Sequence, residues 1–453
     1  MLSASSFVPG DIITASKASV FSLRNAFLNK CCSHCFKLRP ASEDTEACSR
    51  EYFCSSCHFN FCSKDCFDAA IYHKELECQV LVSFQSYEET VDTELFRLII
   101  RACHLFENDS ESLTKILALP VYPDFCQLDQ SLLDHYQAVG KAVSRFVPSI
   151  SVSTVSILCH VINCNAFGVQ DDQCMGLFDP GVALFPDFSN LEHSCYPNAI
   201  LAAVPGKVLQ LRALTEIKEG DQITVSKLST LYMPTSERKS ELESMGIDCK
   251  CDRCTSEEWL KIDEMLHGMT CHCGGLLKVV DDLLVCDACK NNTDGEVVAE
   301  VSTKVVQFIH TANTLIRRKE YEGAKQALEN IFKFYSKYLT SEHQNSPLIR
   351  LPLMSCCFNL RQYGEAIQHG VKAIEILKVS FPPNHPKLAE AYHVLALVYK
   401  AKAHYCSQDP SKKSMEELSR KQSQLYFSKA HDIRCISLGP DHFITLESKQ
   451  YLD

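Results

Sequence analysis

The residues with the clearest chemistry are cysteines. Cys32-x2-Cys35, Cys54-x2-Cys57, Cys62-x3-Cys66 and His73-x4-Cys78 follow one another in a single short segment. A tetrahedral zinc ion takes four Cys or His donors, and a two-residue spacer lets one tight turn aim both thiolates at the same ion. Eight donors in four close pairs therefore supply two zinc ions, although spacing alone does not say which pairs share an ion. Cys249-x-Cys251-x2-Cys254 offers three more thiolates and wants a fourth from a distance, for which Cys195 is the candidate. Cys271-x-Cys273 and Cys286-x2-Cys289 have a hairpin-like spacing that suits one further ion. Three zinc sites are expected, with this last set as a fourth. The remaining cysteines, among them Cys103, Cys159 and Cys357, are scattered and read as small buried apolar residues.

The whole chain has 26 cysteines in 453 residues, too unevenly spread for a secreted disulfide scaffold. Thiols inside cells stay reduced, and a cysteine-dense chain there uses them as metal ligands. Hydrophobic residues at 46% and charged residues at 22% exclude wholesale disorder. A net charge of −11 argues against a phosphate grip, so direct DNA binding is not expected. No apolar run reaches the ~18 residues of a membrane span. The first residues, MLSASSFVPGDII, lack the basic start and long apolar run of a signal peptide.

These candidate ligands need elements to hold them. A Pro9-Gly10-Asp11 turn leads into strand-like Ile12-Ile13-Thr14 and Val20-Phe21. The cysteine-rich segment 31–79 has no long apolar periodicity and cannot bury much core without metal. Between 80 and 149 the pattern turns helical, with Leu95, Leu98, Ile99, Ala102 and Leu105 at three- and four-residue steps. The apolar stretch 150–165 reads equally as buried helix or buried strand. Strand-like runs return between 181 and 226, a second cysteine-rich stretch covers 245–290, and the chain is helical after about 300. There, EYEGAKQALENIF, RQYGEAIQHGVKAIEIL and LYFSKAHDIRCISL share a spaced aromatic–alanine core. Their period is irregular, stretched by the polar insert SQDPSKKSMEELSRKQ; this is a degenerate helical repeat or an ordinary helical bundle.

Two motifs carry a specific resemblance. The order of pairs in 31–79, with Cys62-x3-Cys66 inside it, resembles the MYND zinc module. NLEHSCYPNA, followed by KEGDQIT and CKCDRC, resembles a SET domain. A SET domain interrupted by MYND is similar to the SET and MYND-domain protein lysine methyltransferases, and the likeness covers nearly the whole chain. It implies an α+β fold with this layout: 1–30 the N-terminal part of SET, 31–79 the MYND module, 80–149 a helical insertion, 150–232 the SET core, 233–299 a post-SET and accessory cysteine-rich zinc region, and 300–453 an all-helical, TPR-like domain. The MYND pairs would alternate, so that Cys32, Cys35, Cys62 and Cys66 hold one zinc and Cys54, Cys57, His73 and Cys78 the other. Cys195 would complete the post-SET zinc.

The implied activity is methyl transfer from S-adenosylmethionine to a protein lysine, histone or non-histone, with residence in nucleus and cytoplasm. Carried onto this chain, the cofactor-binding positions are Asn165, Ser189, Glu192, His193 and Ile247, the catalytic tyrosine position is Lys227, and Asn198 is the asparagine closing the motif. Several matches differ. Glu192 replaces an asparagine, and a carboxylate only accepts hydrogen bonds where an amide also donates. Lys227 replaces a tyrosine, placing an ammonium near a sulfonium. Ile247 replaces an adenine-stacking aromatic, and the family's Gly-rich cofactor loop has no counterpart in the sequence. His73 lies one residue earlier than the family's His-x3-Cys, with Ile71-Tyr72 where a tryptophan is usual. Glu192 and Lys227 either pair with each other in the cofactor space or both point to solvent. The resemblance also implies a monomer whose MYND module takes Pro-rich peptides. Two other classes remain beside the enzyme: a catalytically impaired scaffold acting through protein–protein contacts in transcriptional regulation, and a DNA-associated regulator disfavoured by charge.

Overall fold

The structure is a computed structural model, and it describes residues 1–38, 52–57, 59–84, 93–169, 180–204, 206–228, 230–280, 283–293, 307–335, 340 and 345–452. Strand β1 (Ile12–Lys17) follows the Pro9-Gly10-Asp11 turn, where Gly10 adopts φ 98°, and is separated from β2 (Val20–Leu23) by two residues. The two strands join different sheets. β1 pairs with β7 (Val208–Ala213), which pairs with β6 (Ala199–Val204), all antiparallel in the order β1-β7-β6. β2 pairs with β4 (Gly181–Leu184), which pairs with β3 (Phe167–Val169), again antiparallel. A parallel pair, β5 (Glu192–His193) with β8 (Thr224–Val225), completes this core. Leu23, Phe185, Leu191, Leu211, Ile217 and Ile223 bury together between these small sheets.

The cysteine-rich segment leaves the core between β2 and β3. It contains α1 (Lys64–Ala69), a π-helical turn over His73–Glu77, and α2 (Cys78–Phe84). Helices α3 (Thr93–Asn108), α4 (Ser110–Leu117), α5 (Gln130–Ser144) and α6 (Val152–Asn165) then form an apolar layer on β2 and β4. Thus the ambiguous stretch 150–165 is a helix. Ser151 caps its N-terminus by accepting the Thr154 N–H, and Val155, Leu158, Cys159, Val161 and Ile162 are buried around it. Burial on several sides erases the amphipathic signature that would have separated helix from strand.

After β8 come α7 (Thr235–Glu243), α8 (Asp252–Thr255) and α9 (Glu257–His267). A four-stranded antiparallel sheet follows, in the order β12-β11-β10-β9, from β9 (Met269–Thr270), β10 (Leu276–Val280), β11 (Leu283–Cys286) and β12 (Asn292–Thr293). The C-terminal part is helical: α10 (307–317), α11 (Tyr321–Tyr335), α12 (Asn345–Asn359), α13 (Tyr363–Ser380), α14 (Pro386–Ser407), α15 (Lys413–Ser437) and α16 (Phe443–Lys449). The polar insert that stretches the repeat period is itself largely helical. It forms a single 3-10 turn, Pro410–Lys412, and then the first turns of the 25-residue α15, which packs along α14. Among the described residues no helix is long and apolar enough to cross a membrane.

Candidate zinc centres and the His193 strand pair

Sixteen Cys and His side chains converge in four groups of four, and within each group the donor atoms lie within 4.8 Å of one another. The groups are Cys32, Cys35, Cys62, Cys66; Cys54, Cys57, His73, Cys78; Cys195, Cys249, Cys251, Cys254; and Cys271, Cys273, Cys286, Cys289. The first two are the alternating pairs of the 31–79 segment. Zinc–sulfur bonds of ~2.3 Å in a tetrahedron set donor atoms about 3.8 Å apart. The distances here match that edge: Cys35 to Cys62 is 3.5 Å, Cys54 to Cys78 3.4 Å, Cys195 to Cys254 3.5 Å and Cys273 to Cys286 3.4 Å between sulfurs. A disulfide needs ~2.05 Å, so these are thiols around a common centre rather than bridges. The donor sets fit zinc.

In the second group the extra residue of His73-x4-Cys78 is taken up by the π-helical turn, in which the Cys78 N–H bonds the His73 carbonyl. A π turn holds one more residue than an α turn, so ligands five apart stay on one face. His73 then aims Nε2 at Cys57, 3.5 Å from its sulfur, and Nδ1 at Glu77 Oε2, 2.9 Å away. Glu77 is fully buried and receives Arg101 Nε at 2.7 Å and Nη2 at 3.1 Å, while Arg101 Nη1 donates to the Phe21 carbonyl on β2. Burial alone would raise the Glu77 carboxyl, but the Arg101 charge and the His73 bond hold it down at about 2. Such a carboxylate fixes the ring orientation and tautomer of a ligating histidine. Tyr72, where the family's tryptophan is usual, stacks 4.2 Å from the Arg101 guanidinium.

Neither Glu77 nor Arg101 was singled out from the sequence. The signal was present: a His-x3-Glu spacing, and two arginines, Arg97 and Arg101, one turn apart within the otherwise apolar run Leu95–Cys103 of α3. Phe36 is the module's other anchor. It is fully buried in the core sheet cluster, and a Cβ at Gly181 would lie 2.2 Å from its ring. Only glycine lets β4 pass that close.

The third group bears on the SET-like motif directly. Cys195 follows β5, and its N–H lies 3.4 Å from the Cys251 sulfur. Behind it Arg238 and Arg253, both fully buried, meet Asp263 at 2.7 and 3.5 Å. Arg253 also donates to the carbonyls of Cys195 and Ser380, the latter at the end of α13. A four-thiolate zinc centre carries net negative charge, and two buried guanidiniums against one carboxylate offset it. The fourth group is the most open, with Cys273 and Cys289 exposed on the β-ribbon.

His193 stands at the centre of the remaining candidates. Its Nδ1 accepts the Lys227 backbone N–H at 3.0 Å, and its Nε2 lies 3.3 Å from the Cys195 sulfur. Both ring nitrogens are thereby engaged, tying β5 to the chain after β8 and to the third zinc group. Burial pushes His193 down to about 4, with the Lys227 and Arg238 charges adding to the effect. Asn198 pins β8 from the other side: its Nδ2 donates to Gln222 O at 2.9 Å and its Oδ1 accepts the Thr224 N–H at 2.8 Å. Ile247 packs with Leu228 and the third cysteine group.

Two candidates sit apart from this knot. Asn165, ending α6, donates its amide to Pro120 O at 2.8 Å and Val161 O at 3.0 Å. Ser189 closes a 3-10 turn over Pro186–Phe188 through its backbone N–H. No hydrogen bond joins either to His193 among the described residues. Glu192 and Lys227 flank His193, and both are exposed. They form no ion pair, yet they act on each other: burial lowers the Lys227 ammonium and the Glu192 charge pulls it back up.

No protein-family model matches the chain. It is similar to N-lysine methyltransferase SMYD2 of Homo sapiens, 24% identical over 422 residues that span 85% of this chain and 92% of that protein. N-lysine methyltransferase SMYD2-A of Xenopus laevis is 23% identical over 86% of this chain, and SMYD2 of Gallus gallus 25% identical over 79%. The molecule is a mixed helix-and-sheet protein with cysteine centres fit for zinc. The similarity is that of a divergent member of the SET and MYND-domain family.

Proposed function

We propose that the protein is an S-adenosylmethionine-dependent protein-lysine N-methyltransferase acting on a histone or non-histone substrate. The observation that carries this is the extent of the similarity: the match spans 85% of this chain and 92% of human N-lysine methyltransferase SMYD2. In this reading 1–30 and 150–232 are the SET core, 31–79 the MYND module, 80–149 its helical insertion, 233–299 the post-SET zinc region and 300–453 a TPR-like domain.

S-adenosylmethionine would supply an electrophilic methyl group on a sulfonium. The chain's part is to position and to exclude charge. His193 is neutral and fixed at both ring nitrogens, so the backbone of β5 and of Lys227 presents one geometry toward the cofactor. Asn165 keeps its Oδ1 acceptor while its amide is spent on the backbone. Ile247 offers an aliphatic surface where the family stacks an aromatic ring. Four structural zinc ions would hold this arrangement, the Cys195 ion most directly.

The reading is tested by incubating zinc-loaded protein with methyl-labelled S-adenosylmethionine and histones or a cell protein extract. Label recovered as N-methyl-lysine by mass spectrometry is the expected result. Label absent from lysine in every substrate tried, with zinc content intact, contradicts it.

A further inference from the structure

The chain is acidic, with a net charge of −11, yet one strip of its helical half is not. It runs along α14, between α13 and α15. Tyr426 of α15 stacks on Tyr392 and Tyr399 of α14, with ring centroids 5.8 and 5.6 Å apart and planes only 23° and 16° from parallel. Lys429 lies 5.7 and 5.4 Å over the rings of Tyr392 and Tyr426, and Lys378 of α13 lies 5.9 Å over Tyr392. Roughly 20 Å further along the same helix, Tyr405 meets Tyr363 of α13 at 5.9 Å, with Lys412 standing 5.1 Å over it. Here the two rings join Arg361, Lys402, Lys412 and Met415 in lining a cavity of about 330 Å³. The neighbouring acids are already taken: Glu365 by Lys325 at 2.6 Å, Asp409 by Lys412 at 3.1 Å, Glu375 by Lys372 at 2.8 Å and Glu390 by Lys387 at 2.9 Å. Arg361, Lys378, Lys402 and Lys429 meet no carboxylate among the described residues, and none of these tyrosine hydroxyls is hydrogen-bonded within them.

We propose that this tyrosine–lysine strip takes an acidic segment of the protein substrate, laid along α14 beside the lysine to be methylated. This rests on the methyltransferase reading. The strip begins where the chain after Lys227 arrives: Leu228 and Tyr232 pack into the same apolar cluster as Tyr392, Tyr399 and Tyr426. Carboxylates complement both kinds of group on it, the unpaired cations and the phenol hydroxyls with a proton to donate. Single-stranded nucleic acid is the rival polyanion, and the ring geometry disfavours it. Bases bind by stacking on open aromatic faces. The faces of Tyr392, Tyr399 and Tyr426 are instead covered by one another and by lysine. An acidic peptide needs no open face, only the charges and the hydroxyls. Lysines already held against rings also lose less freedom when it binds.

The test titrates fluorescein-labelled decaglutamate onto the zinc-loaded chain by anisotropy, with labelled decathymidylate as the rival. Decaglutamate should bind saturably and more tightly than decathymidylate, and its affinity should fall between ~0.05 M and ~0.5 M salt. Lys378→Glu with Lys429→Glu, both at exposed positions, should weaken it by about tenfold or more. Lys261→Glu, on the exposed face of α9, should leave it unchanged. Wild type and the double variant are then assayed with labelled S-adenosylmethionine on two lysine-centred peptide libraries, one Glu-rich and one Gln-rich. Wild type should show a KM about tenfold lower for the Glu-rich library at the same kcat, and the double variant should lose that difference. No decaglutamate binding, tighter decathymidylate binding, or an equal loss in Lys261→Glu overturns the strip and leaves the methyltransferase reading standing. Equal KM for the two libraries overturns its substrate role. If decaglutamate binds through these lysines and no lysine is methylated in any substrate tried, the methyltransferase reading fails and the substrate role falls with it.

Discussion

At the level of single residues, the molecule places its most consequential polar groups where no solvent reaches. Glu77 accepts from His73 and Arg101 at once and has no exposed surface. Removing one member of such a set strands the other's charge, which costs about 3–5 kcal/mol. Glu77→Gln is therefore expected to destabilise strongly and to weaken the second zinc group. Glu77→Gln with Arg101→Met should be milder than the single change, because no buried charge is then unpaired. Urea unfolding of both variants with zinc content measured alongside checks this; equal losses would show that Arg101 gains its stability elsewhere. Ligand types and their grouping are legible in the sequence because coordination is local in spacing. Glu77 was passed over because a glutamate four residues from a histidine is common on any exposed helix, and its burial depends on α3 arriving from a distant segment.

At the level of elements, 31–79 buries only a small apolar cluster around Phe59, Phe61 and Ala70, so the zinc that its donor sets fit, with the packing of Phe36 against Gly181, would have to supply much of its stability. Metal-binding energy in such a segment is folding energy. A chelator should expose 31–79 to protease while the α13–α15 helices stay resistant; unchanged cleavage across 31–79 in chelated protein contradicts it. The strands around 12–23 and 181–225 are legible from alternation and turn residues. Helix α6 is not, since its buried residues lie on several sides. The 3-10 turn and long α15 are hidden for the opposite reason: a polar run on an exposed helix face has the composition of a loop. The π turn at His73–Glu77 is visible only as one residue too many between two ligands.

In the C-terminal helical part His442 is buried, and His385 and His393 are half-buried. Burial pushes His385, His393 and His442 down to about 4 each, and the Arg434 charge adds to this for the last two. A histidine with a depressed folded value is protonated more readily when unfolded, so its stability contribution is full above about 6.5 and falls toward about 4. Acidification from neutrality to pH ~5 is expected to lower the melting temperature of this part by several degrees, followed by helical circular dichroism. A melting temperature flat over that window contradicts it.

For the molecule as a whole, the helical half is joined to the sheet core by buried guanidiniums reaching backbone carbonyls. Arg212 on β7 donates to Ile436 O at 3.0 Å and Gly10 O at 2.7 Å, linking the end of α15 to the first turn. Cations favour helix C-termini. Arg253 does the same between the Cys195 segment and α13. Arg212→Met should cost about 2–4 kcal/mol and speed amide exchange at the end of α15 without altering zinc content. Exchange there at the wild-type rate would show that apolar packing alone holds the halves together. Chain order and similarity carry the reading from these parts to an enzyme, and the cofactor is where it is most exposed to test. The most direct measurement is a calorimetric titration of the zinc-loaded chain with S-adenosylmethionine. Saturable one-to-one binding in the micromolar range is predicted, with Glu192, Lys227 and Ile247 as working variants of the family's site. No heat of binding at millimolar cofactor would contradict the methyltransferase assignment.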